Sequence, residues 1–143
     1  MNKTVEFFKA QIGKEITQSP SPVGMWLRPV LLNVEEGSIK TEIMIRPEMT
    51  NPAGMLHGGM IALISDEIIG ATIATLEMSD FYPSVNLYTD FLNGAKLGEK
   101  ITVETIIIRK GKNIINTECK IYNSHQKLIA KSQSNNIKAN SKK

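Results

Sequence analysis

Residues 60–76 constrain this chain more than any other feature. Met60, Ile61, Ala62, Leu63, Ile64, Ile68, Ile69, Ala71, Ile73, Ala74 and Leu76 crowd into one 17-residue stretch. β-Branched residues make a strand conceivable locally, but the length reads as a helix. At ~1.5 Å per residue it spans about 25 Å. A helix apolar on nearly all sides has to be enclosed. It does not cross a membrane, because no apolar run in the chain approaches the ~18–20 residues of a span.

The surrounding sequence supplies the enclosure. Val5, Phe7, Phe8, Ile12 and Ile16 predict a short amphipathic helix over 4–16. Ser19-Pro20-Ser21-Pro22 then breaks it and keeps the chain extended. Residues 25–33 are apolar and β-prone, and Glu35-Glu36-Gly37-Ser38 makes a turn. Residues 39–46 alternate Ile39, Thr41, Ile43 and Ile45 against Lys40, Glu42, Met44 and Arg46. These segments predict an antiparallel hairpin with one buried face. Residues 47–57 form a loop. After Ser79-Asp80, β-like runs occupy 83–92, 101–109, 114–122 and 127–137, separated by turn-rich links. From Ala139 the chain is polar and is expected to be disordered, leaving 1–138 as a single domain.

Strands segregated around one helix make an α+β domain, not an alternating α/β one. A layer of about six antiparallel strands wrapped around 60–76 would bury most of that helix. A second copy of the chain is the simplest cover for what remains.

With 143 residues, 41% of them hydrophobic and 22% charged, the chain suits one ordinary folded domain. The net charge of +3 is mild, and part of it sits at Lys138, Lys142 and Lys143. No aromatic residue is interleaved with a Lys/Arg cluster, so nucleic-acid binding is not expected. Local basic residues remain able to meet the phosphates of a small anionic ligand. The single cysteine, Cys119, forms no internal disulfide and suits a reducing cytoplasm. It lies in a strand-like run with no nearby His, which favours packing over catalysis. Residues 1–10 are mixed in charge and read as no signal peptide. Two histidines, 68 residues apart, and one cysteine make no metal-ligand cluster.

Two features of 51–66 bear on chemistry. Asp66 sits among Leu63, Ile64, Ile68 and Ile69, where a carboxylate is destabilised unless it has partners or borders a cleft. Such groups cluster at functional sites; a solvated helix edge shared with Ser65 and Glu67 is the alternative. Gly58-Gly59 opens the helix. Its first N–H groups lack intrahelical partners there, and the dipole is positive. Without side chains a ligand can approach, as a developing oxyanion would in acyl transfer. A plain loop-to-helix junction is the alternative.

Asn-x5-His-Gly-Gly-x6-Asp, running from Asn51 to Asp66 and followed by a β-rich half, resembles the hotdog-fold acyl-CoA thioesterases. The PaaI-like branch is the nearest match. The similarity extends over Ser84–Leu92, Ala95-Lys96-Leu97-Gly98-Glu99 and the turn Arg109 to Lys112, from about Gly24 to Ile137. It implies a hotdog fold, a six-stranded sheet around one long helix, and hydrolysis of an acyl-CoA to free acid and CoA. Asp66 matches the catalytic carboxylate, as general base or as nucleophile. Gly58 matches the glycine whose N–H polarises the thioester carbonyl. Asn51 matches a side chain near that carbonyl or the attacking water. His57 matches a histidine that shapes the loop, and Ser84 a hydroxyl holding water or the carboxylate. The resemblance also implies a homodimer with its sites at the interface, paired further into a homotetramer. Asp66 of one subunit would face Asn51 and Gly58 of the other. No cofactor is expected, since CoA enters as part of the substrate.

Arg109, Lys110 and Lys112 are candidates for the CoA phosphates, or else a plain solvated hairpin. Trp26, Phe81 and Tyr82 are candidates for an acyl pocket or for ordinary packing, and Met44, Met49, Met55 and Met60 for an adaptable channel. Glu67 points about 100° round the helix from Asp66 and reads as solvated or interfacial. Asn93-Gly94 stands where the branch often carries Arg-Pro, which puts part of the CoA or interface contacts in doubt. Two other readings compete: a non-catalytic acyl-CoA-binding hotdog module, which needs no Asp66, and a hotdog dehydratase or hydratase, whose His-acid pair sits in other motifs.

Overall fold

The computed structural model describes residues 1–139. Helices α1 (Lys3–Lys9) and α2 (Pro22–Leu27) precede the hairpin β1 (Val30–Glu35) and β2 (Ser38–Met44). A 3-10 turn at Pro47–Met49 leads to the long helix α3 (Gly58–Ala74). Then come β3 (Ser84–Phe91), β4 (Lys100–Lys110), β5 (Ile114–Tyr122) and β6 (Leu128–Ile137). All strand pairs are antiparallel, in one sheet of order β1-β2-β4-β5-β6-β3. The α+β plan of six strands around one helix is therefore the observed one.

The sheet buries α3 through its alternating inward residues. Ile64 and Ile69 are fully enclosed and pack in one cluster with Ile43, Ile101, Ile115, Ile121 and Ile129. Each such burial contributes about 1.5–3 kcal/mol, and truncating Ile69 to Ala would cost about 2–5 kcal/mol. Hydroxyls on the same face are satisfied across the interface. Thr72 bonds Thr105 and the Ile68 carbonyl, and Ser132 donates to Ser65. The opposite stripe of α3 stays open: Gly59, Asp66, Gly70 and Ala74 are exposed. No helix of the described residues is long and apolar enough to cross a membrane.

Three local expectations are corrected. The N-terminal helix stops at Lys9 instead of residue 16. Gly13, at φ +84°, donates its N–H to Leu31, and Glu15 bridges Val30, so the sheet edge captures this segment. The expected extended entry at 25–27 is helical, because Ser21 caps Gly24 N–H and Pro22 fits the first turn. Helix α3 begins at Gly58, as the Gly58-Gly59 opening implied, and His57 caps it. Lys138 and Ala139 are not frayed. Lys138 N–H bonds Asn113, its ammonium pairs with Asp80, and Ala139 N–H bonds Phe81. Residues 140–143, the rest of the expected polar tail, lie outside the described residues.

Candidate active site

Asp66 lies on the open stripe of α3 beside the first residue of β3. Ser84 Oγ donates to its Oδ1 at 2.8 Å. Behind Ser84 stands a residue the sequence did not single out. Asn136, buried on β6 opposite Ser84, donates from Nδ2 to Ser84 Oγ at 3.2 Å and to the Tyr82 carbonyl at 3.1 Å. Its Oδ1 accepts from Ser134 at 3.1 Å. Asn136 was concealed by its surroundings, since Ser132, Ser134 and Asn136 alternate with Lys131, Gln133 and Asn135. Both faces of that strand read as polar. The usable signal is the period of two itself.

The carboxylate does not meet the expected greasy surroundings within one chain: Asp66 is exposed. The sheet curves round only one side of α3, and Asp66 is on the other. A shallow hollow beside it is lined by Gly59, Leu63, Ser84 and Leu87. Glu67 is half-buried and packs against Gly24, where any Cβ would collide with its carboxyl oxygen.

The loop before α3 orients two donors. Asn51 Oδ1 accepts the N–H groups of Ala53 and Met55 at 2.9 and 3.1 Å, which leaves its Nδ2 as the outward group. His57 Nδ1 accepts from Gly59 N–H at 2.8 Å, placing the ring proton on Nε2. Gly58 N–H has no hydrogen-bond partner among the described residues. Gly58 is backed by the Phe91 ring, whose Cε1 would lie 3.2 Å from an added Cβ. The first turn of α3 thus presents one free backbone donor at the positive end of its dipole.

The sequence profile described as the thioesterase superfamily matches residues 53–130, more than half the chain. The chain belongs to the thioesterase superfamily. Human acyl-coenzyme A thioesterase 13 is 31% identical over 101 residues, covering 70% of this chain and 72% of that protein. The crystal structure of zebrafish thioesterase superfamily member 2 superposes with a TM-score of 0.78 and 26% identity. That match covers 96% of this chain and 97% of the other. Escherichia coli PaaI, from the phenylacetic acid degradation operon, shares the fold with a TM-score of 0.77 at 17% identity. Its match covers 84% of this chain and 86% of PaaI. The chain is a thioester hydrolase of the hotdog fold.

Within this thioesterase the other predicted residues separate. Lys110 pairs with Ile115, Ile115 with Asn136, and Asn136 with Ser84, so the basic hairpin and Ser84 share one row of the sheet. Three strand spacings put them about 14 Å apart. Arg109, Lys110 and Lys112 are exposed, and none lines the hollows around Asp66. Phe81 and Tyr82 do line a hollow beside Asp66, whereas Trp26 stacks on the Arg46 guanidinium at 4.7 Å. The methionines make no common channel: Met49 is buried in the core, Met44 is exposed, and Met55 fills the space left by Gly94. Asn93, in place of the branch's usual arginine, ties the end of β3 to β6 through the Leu128 and Ile129 carbonyls. Among the described residues no group of three or more His, Cys, Asp or Glu side chains could hold a metal ion.

Proposed function

We propose that this thioesterase hydrolyses acyl-CoA thioesters as a homodimer, with Asp66 of one subunit facing Asn51 and Gly58 of the other. The observation carrying this reading is the pairing of an oriented carboxylate, Ser84 to Asp66 at 2.8 Å, with an unpartnered Gly58 N–H at a helix start. The hard step is charge build-up on the thioester oxygen. The Gly58 N–H, the dipole of α3 and the outward Asn51 amide suit that oxyanion, an effect worth roughly 3–4 kcal/mol per donor in other enzymes. Asp66 acts on the carbonyl carbon through water, as general base, or directly, as nucleophile. His57 holds the loop.

The dimer reading is supported by the exposed start of α3, around Gly59 and Asp66, and by β3. That strand is at the sheet's edge and exposes Val85, Tyr88 and Phe91, surface that a second copy would cover. Arg109, Lys110 and Lys112 serve the CoA phosphates, in reach of its long arm at about three strand spacings from Ser84. Pairing of dimers into a tetramer belongs to the same reading.

Free-thiol release from a panel of acyl-CoAs tests it. Turnover is expected for the wild type, with a roughly 10²-fold or greater loss in Asp66→Asn and an unchanged oligomer. Wild-type turnover in that variant would reject the catalytic assignment and favour a binding module.

A further inference from the structure

A groove begins on the other flank of Asp66 and follows the open stripe of α3. Its first part, about 680 Å³, is lined by Gly70, Ala71 and Ala74 of the helix together with Phe8 and Phe81. Gly70, Ala74, Phe81 and Tyr82 also line an adjoining hollow of about 490 Å³ that reaches Met78 and Thr4. The two meet along these four shared residues. Ser84 and Asp66 stand at one end, and at the other α1 docks on the end of α3. That docking is specific: Asn2 Nδ2 donates to the Thr75 carbonyl at 2.6 Å and Thr4 N–H to Glu77 at 2.7 Å.

Gly70 is the informative position. Glycine weakens a helix interior relative to alanine, yet a Cβ here would meet nothing within 4 Å. Packing inside the chain supplies no reason for it; room in the groove does.

Resting on the thioesterase reading above, we propose that this groove holds the acyl chain, and that Gly70 sets the length of unbranched chain accepted. Asp66 and Ala74 are eight residues apart, about 12 Å along the helix. An extended chain advances about 1.2 Å per bond, so the groove takes an aliphatic chain of about ten carbons. Small helix residues below and aromatic edges beside them suit a flexible methylene chain. Glu67 borders only the reacting end, and Glu77 and Asp80 the far one.

The test compares kcat/KM for butanoyl-, decanoyl- and phenylacetyl-CoA in the wild type, Gly70→Leu and Ala74→Leu. The wild type is expected to favour decanoyl-CoA over butanoyl-CoA by roughly tenfold or more, since one methylene in an apolar pocket is already worth about tenfold. Gly70→Leu should lose roughly tenfold on decanoyl-CoA and stay within about threefold on butanoyl-CoA. Ala74→Leu, further from Asp66, should show the same selective loss and decides the matter if Gly70→Leu fails to fold. Unchanged chain-length profiles overturn the proposal, as does a wild type that prefers phenylacetyl-CoA. Equal losses on all substrates with an altered oligomer also overturn it, showing that a second copy fills the groove. A wild type inactive on every thioester would instead reject the proposed function, an outcome distinct from an active enzyme with an unaltered profile.

Discussion

Asn136 directs the proton of Ser84. Its Nδ2 donates to Ser84 Oγ at 3.2 Å, so the Ser84 hydroxyl turns its own proton to Asp66 Oδ1. The amide cannot rotate freely, because its Nδ2 also donates to the Tyr82 carbonyl. A buried polar chain thus ends on an exposed carboxylate and aims it.

Ser84→Ala removes one hydrogen bond to a charged group, worth about 1.5–3 kcal/mol. The expected result is a loss of roughly 10- to 100-fold in kcat, with KM little changed. Asn136→Ala should lose less, and the double variant no more than Ser84→Ala alone, because both act through one bond. Steady-state kinetics on the four members of this cycle measures the coupling; additive losses would separate Asn136 from the site.

The framework was legible because the strands alternate cleanly. Ile39, Thr41 and Ile43 face inward on β2, as do Ile101, Val103 and Thr105 on β4. Helix α2 was not legible as a helix, because Ser21-Pro22 serves equally as a breaker and as a cap with its first-turn proline. In the site, Asp66 and Gly58 stood out by residue type and position, whereas Ser84 and His57 were implied only by the family resemblance. Asn136 did not, since its burial depends on pairing with a strand 52 residues away. The exposure of Asp66 was one of two readings the sequence left open, because hydrophobicity marks every face of α3 while the sheet covers only one.

Gly58 offers a way to delete one N–H and little else. It occupies the first position of α3, where proline is well tolerated. His57 already has φ −66° and ψ 138°, the conformation proline requires of its predecessor. Gly58→Pro should therefore fold, and should lose about 10²–10³ in kcat if its N–H stabilises the oxyanion. Gly58→Ala retains the N–H and also pushes a Cβ toward Phe91, so it is the steric control. Equal rates for the two variants would remove the N–H from the mechanism.

His57 is expected to behave as a cap. His57→Ala frees Gly59 N–H and should cost about 0.5–2 kcal/mol of stability. His57→Asn supplies a capping oxygen in place of Nδ1 and should recover most of that loss. Thermal melts read the cap, and the pH–rate profile reads any proton transfer. A pH limb that disappears in a stable, folded His57→Asn protein would make His57 an acid or base.

Cys119 supplies a prediction independent of the active site. Burial on β5 pushes its thiol up from an ordinary 9.0 to about 12; a hydrogen bond involving Ser65 pulls the other way, and the Glu118 charge adds to the rise. Below the unfolded value both states hold the proton, so the contribution to stability is complete. As pH rises past about 9, the unfolded chain releases its proton and the folded chain keeps it. Stability is then lost by up to about 1.4 kcal/mol per pH unit until the folded value is reached. Cys119→Ala should start less stable, through its small cavity, but show a shallower decline between about pH 9 and 11 than the wild type. Denaturant melts across that range measure the difference. The same burial predicts that the native thiol resists a disulfide reagent at neutral pH and reacts only at the rate of unfolding. Rapid modification of the folded protein would mean that β5 opens locally, and that Ser65 and Ser132 form a looser contact between α3 and the sheet than their hydrogen bond implies.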